Sequence, residues 1–106
     1  MWFFLDLLLP QLPHLMTPIY KNLSDQELID LLKCNDSKAF TEIYDRYWKK
    51  LLTVAHNKLE RLEDAEEIVQ DIFVNLWNRR TAIQINVSLN NYLAVSVKYR
   101  VIKTLD

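Results

Sequence analysis

Between Arg79 and Lys103 the chain gathers five cations, Arg79, Arg80, Lys98, Arg100 and Lys103, and four amides, Gln84, Asn86, Asn90 and Asn91. Trp77, Tyr92 and Tyr99 sit among them. Cations of this kind neutralise phosphates, amides match the donor and acceptor pattern of base edges, and exposed rings stack on unpaired bases. The combination is that of nucleic-acid binding. If all five cations touched phosphate, a single strand would be bound with a salt slope of at most about −3.5, which is weak unaided. Each residue also has a plainer use. Arg79 and Arg80 can compensate a helix C-terminus, and Tyr92 fits a core position better than a stacking one.

A second chemistry precedes it in DAEEIVQDIFVNLW, Asp64 to Trp77. At 100° per residue, Ala65, Ile68, Val69, Ile72, Phe73 and Leu76 fall on one side of a helix, the i, i+3, i+4, i+7 pattern of a buried stripe. Opposite them lie Glu67, Gln70 and Val74, flanked by Asp64, Glu66, Asp71, Asn75 and Trp77. An acidic face with an apolar centre suits a basic protein partner, because charge steers the approach and desolvated valine and tryptophan hold it. The competing account is a solvated charged face with scattered apolar residues, which is common. The acids in the first turns also complement the helix dipole. That explains Glu63, Asp64, Glu66 and Glu67; it leaves Val74 and Trp77 unexplained.

Catalysis has little to stand on. The sequence has no glycine, so it has no phosphate-cradling loop. No Ser/His/Asp or Cys/His set occurs at a recognisable spacing, and carboxylates on helix exteriors make poor general bases. Cys34 is the only cysteine, and His14 and His56 stand far apart. No enzyme activity, metal site or cofactor is expected. A reducing, cytoplasmic compartment fits this cysteine usage.

These residues need helices to hold them. A chain of 106 residues with three prolines, all before residue 19, and no glycine is read as one all-α domain. The pattern predicts four helices, the first short and three longer. Ser24 to Glu27 reads as a capping box opening a helix over about 24–34 that buries Leu28, Ile29, Leu31 and Leu32. Asn35, Asp36 and Ser37 form a polar break that can cap the next helix, about 37–60. Its stripe is Phe40, Ile43, Tyr44, Tyr47, Leu51, Val54, Ala55 and Leu59, aromatic-rich as core packing often is. The acidic helix runs over about 63–79, a polar loop follows over 79–88, and Ser88 can cap a last helix from Leu89 to Leu105.

Net charge is −1, which alone argues against a nucleic-acid binder. Its distribution argues otherwise. Residues 61–77 hold five acids against Arg61, whereas residues 78–106 hold five bases against Asp106.

The opening MWFFLDLLLPQLPHLMTPIY is unlike the rest. Its apolar run is broken by Asp6 and Pro10, short of the ~20 residues a membrane span needs, and it lacks the marks of a signal peptide. Residues 1–22 are read as a leader: either translation begins at Met16, or the segment is a loosely ordered apolar arm that packs on the domain of residues 23–106.

Three segments, AFTEIYDRYWKKLL, DAEEIVQDIFVNLW and SLNNYLAVSVKYRVIKTL, resemble region 2 of the extracytoplasmic-function sigma factors, small alternative sigma subunits of bacterial RNA polymerase. The second segment is the most specific, and the likeness spans about Leu23 to Leu105. The resemblance implies that the acidic helix docks on the clamp helices of the polymerase's largest subunit. Asp64, Glu67, Gln70, Asp71 and Asn75 would then face that coiled coil, with Val74 and Trp77 as apolar anchors. It further implies that loop 79–88 and the start of the last helix recognise the minus-ten promoter element, opening the duplex and trapping an extruded base of the non-template strand. Asn86, Asn90 and Asn91, with Gln84 and Arg79 nearby, are the expected base readers and contacts. Arg80, Lys98 and Lys103 are the expected phosphate contacts, and Arg100 is expected to brace the domain.

An anti-sigma factor is a further implied partner. Family members continue into a second helical domain that reads the minus-thirty-five element, and this sequence ends at Asp106, so it is read as an isolated domain, a truncated gene product or a relic. The alternative expectation is a sigma-like helical adaptor or decoy that binds polymerase or an anti-sigma factor without recognising a promoter.

Overall fold

A computed structural model describes residues 17–105; the expectations for the segment before Thr17 lie outside the described residues. Five helices are present among those residues: α1 (Thr17–Lys21), α2 (Asp25–Lys33), α3 (Ser37–Lys58), α4 (Leu62–Asn78) and α5 (Leu89–Leu105). The four expected helices are α2 to α5. The fold is all-α, and α1 is an addition, lying within the stretch read as leader.

Local chemistry sets the boundaries. Ser24 Oγ accepts from the Glu27 backbone N–H at 3.1 Å, and Glu27 Oε1 accepts from the Ser24 N–H at 2.9 Å, so the capping box that opens α2 is closed from both sides. At the other end of α2, Asn35 takes φ of 66°, the left-handed region. Its N–H donates to Leu32 O at 2.9 Å, and the Asp36 N–H donates to Leu31 O at 3.1 Å. This is a Schellman termination with asparagine in the place usually given to glycine, as a glycine-free chain requires. Asp36 then caps α3 by accepting from the N–H groups of Lys38 and Ala39. Helix α4 begins without a side-chain cap, and Glu63 and Asp64 in its first turn compensate the dipole instead. The Ser88 hydroxyl accepts from the Asn91 N–H at 3.1 Å at the start of α5.

Helix α3 is the central element, packing against α1, α2, α4 and α5. Phe40, Ile43, Leu51 and Ala55 of α3 join Leu28 and Leu32 of α2, all six apolar stripe residues of α4, and Leu89, Leu93, Val97 and Val101 of α5 in a single core. Phe40 meets Phe73 edge to face at 6.3 Å between ring centroids, and Tyr44 meets Phe73 at 5.0 Å. Leu31, Tyr47 and Val54, expected inside, are half-buried at the margin of that core. For Tyr47 the reason is its hydroxyl, which hydrogen-bonds Asp25.

Arg46 ties the amino-terminal elements to α3. Its guanidinium donates to Glu42 at 2.8 Å, to Asp25 at 2.9 Å, and to the carbonyls of Leu23 at 2.6 Å and of Tyr20 and Lys21 at 3.2 Å. Those carbonyls end α1 and the turn after it, so one cation caps a helix too short to stand alone. Burial by itself would lower the pKa of Arg46; the hydrogen bonds to Glu42 and Asp25 outweigh it and raise the pKa. Tyr20 adds a second tie by donating to Asp36 at 2.6 Å. Among the described residues, no helix is long and apolar enough to cross a membrane.

Candidate functional site

The two sides of α4 separate as its periodicity requires. Ala65, Ile68, Val69, Ile72, Phe73 and Leu76 are buried. On the outward side Glu67 and Asp71 are exposed, and Asp64, Gln70, Val74 and Asn75 are half-buried. Val74 thus keeps part of its surface in water at the centre of an acidic face.

Trp77 is differently placed. It is half-buried, its ring lies 5.3 Å from that of Phe40, and the Arg80 guanidinium covers it at 4.0 Å from the ring centroid. Arg80 is held in turn: Nε donates to Asn35 Oδ1 at 2.8 Å, and Nη1 donates to the Trp77 carbonyl at 2.7 Å. The end of α4 is therefore strapped to the turn between α2 and α3. Asn35 had no signal in the sequence for this role, since it lies 45 positions from Arg80.

The loop 79–88 starts from that strap. Backbone N–H groups of Ala82 and Ile83 both donate to Arg79 O, at 2.9 and 2.8 Å, making a tight turn after α4. Ile83 is buried and Ile85 half-buried, so the loop is pinned to the core by alternate residues. Gln84, Asn86 and Val87, between and after the pins, are exposed. This alternation turns the two amides outward, where a nucleic acid could reach them.

Helix α5 distributes its polar residues over three grooves. Towards α4, Tyr92, Ser96, Tyr99 and Arg100 face Asn75 and Arg79 across a groove of about 280 Å³. An adjoining groove sets Lys103 and Arg100 near Asp71. Arg100 is half-buried here, and Lys103 Nζ lies 5.4 Å from the centroid of the Tyr99 ring. Towards α3, Lys98 lines an apolar groove with Val54, Lys58, Val101, Ile102 and Leu105. Lys98 and Lys103 are therefore not brought together. Their five-residue separation turns them well apart around the helix. Tyr92 packs against the core, as its plainer use requires.

The exposed ridge of α5 runs through Asn91, Val95, Lys98 and Ile102, spaced i, i+4, i+7 and i+11. Asn90 stands beside its start and is half-buried. Its Oδ1 accepts a hydrogen bond from Lys50 of α3, a residue that sequence reasoning missed. Gln84 and Asn86 of the loop and Asn91 and Lys98 of the ridge are exposed, whereas Asn90 is turned towards α3. Arg79 is exposed at the α4 end of the loop, across the neighbouring groove. Among the described residues, no group of three or more His, Cys, Asp or Glu is placed to hold a metal ion.

No curated protein and no solved structure matches the chain. The family model described as Sigma-70 region 2 matches residues 43–105, from the second turn of α3 through all of α4, the loop and α5. That match takes in every candidate residue of the α4 face, the loop and the α5 ridge, and covers more than half of the sequence. The chain accordingly belongs to the sigma-70 region 2 family, with a sigma-factor-like role in transcription initiation and with RNA polymerase core and promoter DNA as partners in general.

Proposed function

We propose that the chain is region 2 of an extracytoplasmic-function sigma factor, working in the cytoplasm without catalysis of its own. It docks through the outward side of α4 on the clamp helices of polymerase and captures the minus-ten element on the tract from Gln84 to Lys98. The observation that carries this reading is the division of α4: a buried apolar stripe opposite an acidic side on which Val74 remains partly open. The packing of the buried stripe does not itself call for an apolar residue at that position. Extruding a base costs a few kcal/mol of unstacking, which stacking and base-edge hydrogen bonds must offset; the outward amides of the loop and α5 supply the second of these.

Co-purification with polymerase core tests the docking. Asp71→Lys and Val74→Lys leave the buried side of α4 untouched and are expected to abolish binding while helicity is retained. Trp77→Ala is a poorer probe, because Trp77 also packs on Phe40. Undiminished co-purification of both variants would remove the outward face as the docking surface. Fluorescence anisotropy with single-stranded minus-ten oligonucleotides, with and without polymerase, tests the capture; a chain lacking sequence preference in both conditions would be an adaptor rather than a promoter reader. An anti-sigma factor is the further partner expected on the same domain.

A further inference from the structure

Among the described residues, Lys50 is the only group that hydrogen-bonds the Asn90 side chain. The two lie 40 positions apart and meet where α3 passes the first turn of α5. An ammonium has three donors and no acceptor, so the amide must turn its oxygen towards Lys50. Its NH2 group is then what remains for a ligand. Lys50 itself is exposed, and its other N–H groups are donors as well. The pair thus turns donors outward, the Asn90 NH2 and the remaining ammonium N–H groups, and keeps the amide oxygen, with its one remaining lone pair, beside Lys50.

A base edge tells keto from amino by such a polarity. Thymine, uracil and guanine offer an oxygen where cytosine and adenine offer an amine. An amine brought against the Lys50–Asn90 pair would meet N–H with N–H, leaving donors unpaired on both sides. A freely turning asparagine would show no such bias, because it could flip and accept.

We propose that Lys50 is a specificity-determining residue that orients the Asn90 amide with its NH2 group outward, so that this position favours a keto base of the single strand over an amino base. The inference rests on the promoter-capture reading above.

The test uses the chain bound to polymerase core and a randomised single-stranded DNA library, followed by uracil-for-cytosine exchanges at each selected position. Uracil and cytosine differ at the keto or amino group and the adjoining ring nitrogen, without the thymine methyl. The native chain is expected to favour uracil about tenfold at one position. Lys50→Met is expected to reduce that ratio to about twofold or less there, with the other positions unchanged. Lys50→Arg, which keeps a donor, is expected to preserve it. Asn90→Asp presents only acceptors and is expected to reverse the preference towards cytosine.

If Lys50→Met instead weakens all oligonucleotides equally and flattens the salt dependence while the ratio persists, Lys50 is a phosphate contact and the proposal is overturned. A native chain with no base preference at any position would fail earlier, taking the promoter-capture reading with it.

Discussion

The guanidinium of Arg80 lies 4.0 Å from the centroid of the Trp77 ring and donates to Asn35 Oδ1 at 2.8 Å, so a residue at the start of loop 79–88 is engaged inward. A partly exposed cation over an indole contributes about 0.5–1 kcal/mol, and a charge-assisted hydrogen bond about 1–2 kcal/mol. Arg80→Ala is therefore expected to lower stability by about 1–3 kcal/mol in urea unfolding. Arg79→Ala, at an exposed position, is expected to stay within about 0.5 kcal/mol of the native chain. Equal effects for the two would show that the strap contributes nothing.

Arg46→Ala removes the partner of the buried carboxylate of Glu42 and uncaps α1 in one step. Breaking one side of a buried pair costs about 3–5 kcal/mol. Asp25→Ala is expected to cost less, since Asp25 is only half-buried. Amide exchange adds a local readout: protection around α1 should fall first in Arg46→Ala, and uniform loss across all helices would contradict the capping role.

Two phenols make stability sensitive to alkali. Tyr20 is raised from the ordinary 10.0 to about 12, first by its hydrogen bond to Asp36 and then by burial. Tyr47 is also raised to about 12, first by burial and then by its hydrogen bond to Asp25. Below pH 10 both states keep these protons and the contribution is complete. Between about pH 10 and 12 the unfolded chain ionises first, so stability falls as pH rises through that window. Unfolding midpoints of the Tyr20→Phe, Tyr47→Phe double variant should decline less steeply there than those of the native chain.

Ser24→Ala opens the reciprocal cap of α2 and is expected to cost about 1 kcal/mol. Ser88→Ala, at the start of α5, is expected to cost a similar amount and also to loosen the backbone beside Asn90. Thermal melts give the first quantity, and oligonucleotide affinity on polymerase core gives the second. A Ser88→Ala variant that loses stability but binds as before would separate the cap from recognition.

How much of this was legible depended on the range of the interactions. The stripe of α4 could be read residue by residue, because burial on one side of a long helix imposes a period of 3.6 on adjacent positions. The caps at Ser24, Asp36 and Ser88 were legible for the same reason, since their partners lie two or three residues away. Helix α1 was not. Five residues hold too little pattern, and its C-terminal carbonyls are satisfied by Arg46, some 25 positions distant. The pairs Arg80–Asn35 and Lys50–Asn90 were invisible on the same grounds. In α5 the exposed Val95, Tyr99 and Ile102 spread apolar character around the helix, which hid the assignment of Lys98 and Lys103 to separate grooves.

Asn35 carries two duties that evolution could have assigned to different residues: it lets the main chain reverse its hand after α2, and its amide oxygen receives Arg80. Glycine would serve the first and abolish the second. An Asn35→Gly variant should thus fold with its bend unaltered and its tether severed, uncoupling the geometry of a corner from the anchoring of a loop that begins 44 residues later with Arg79.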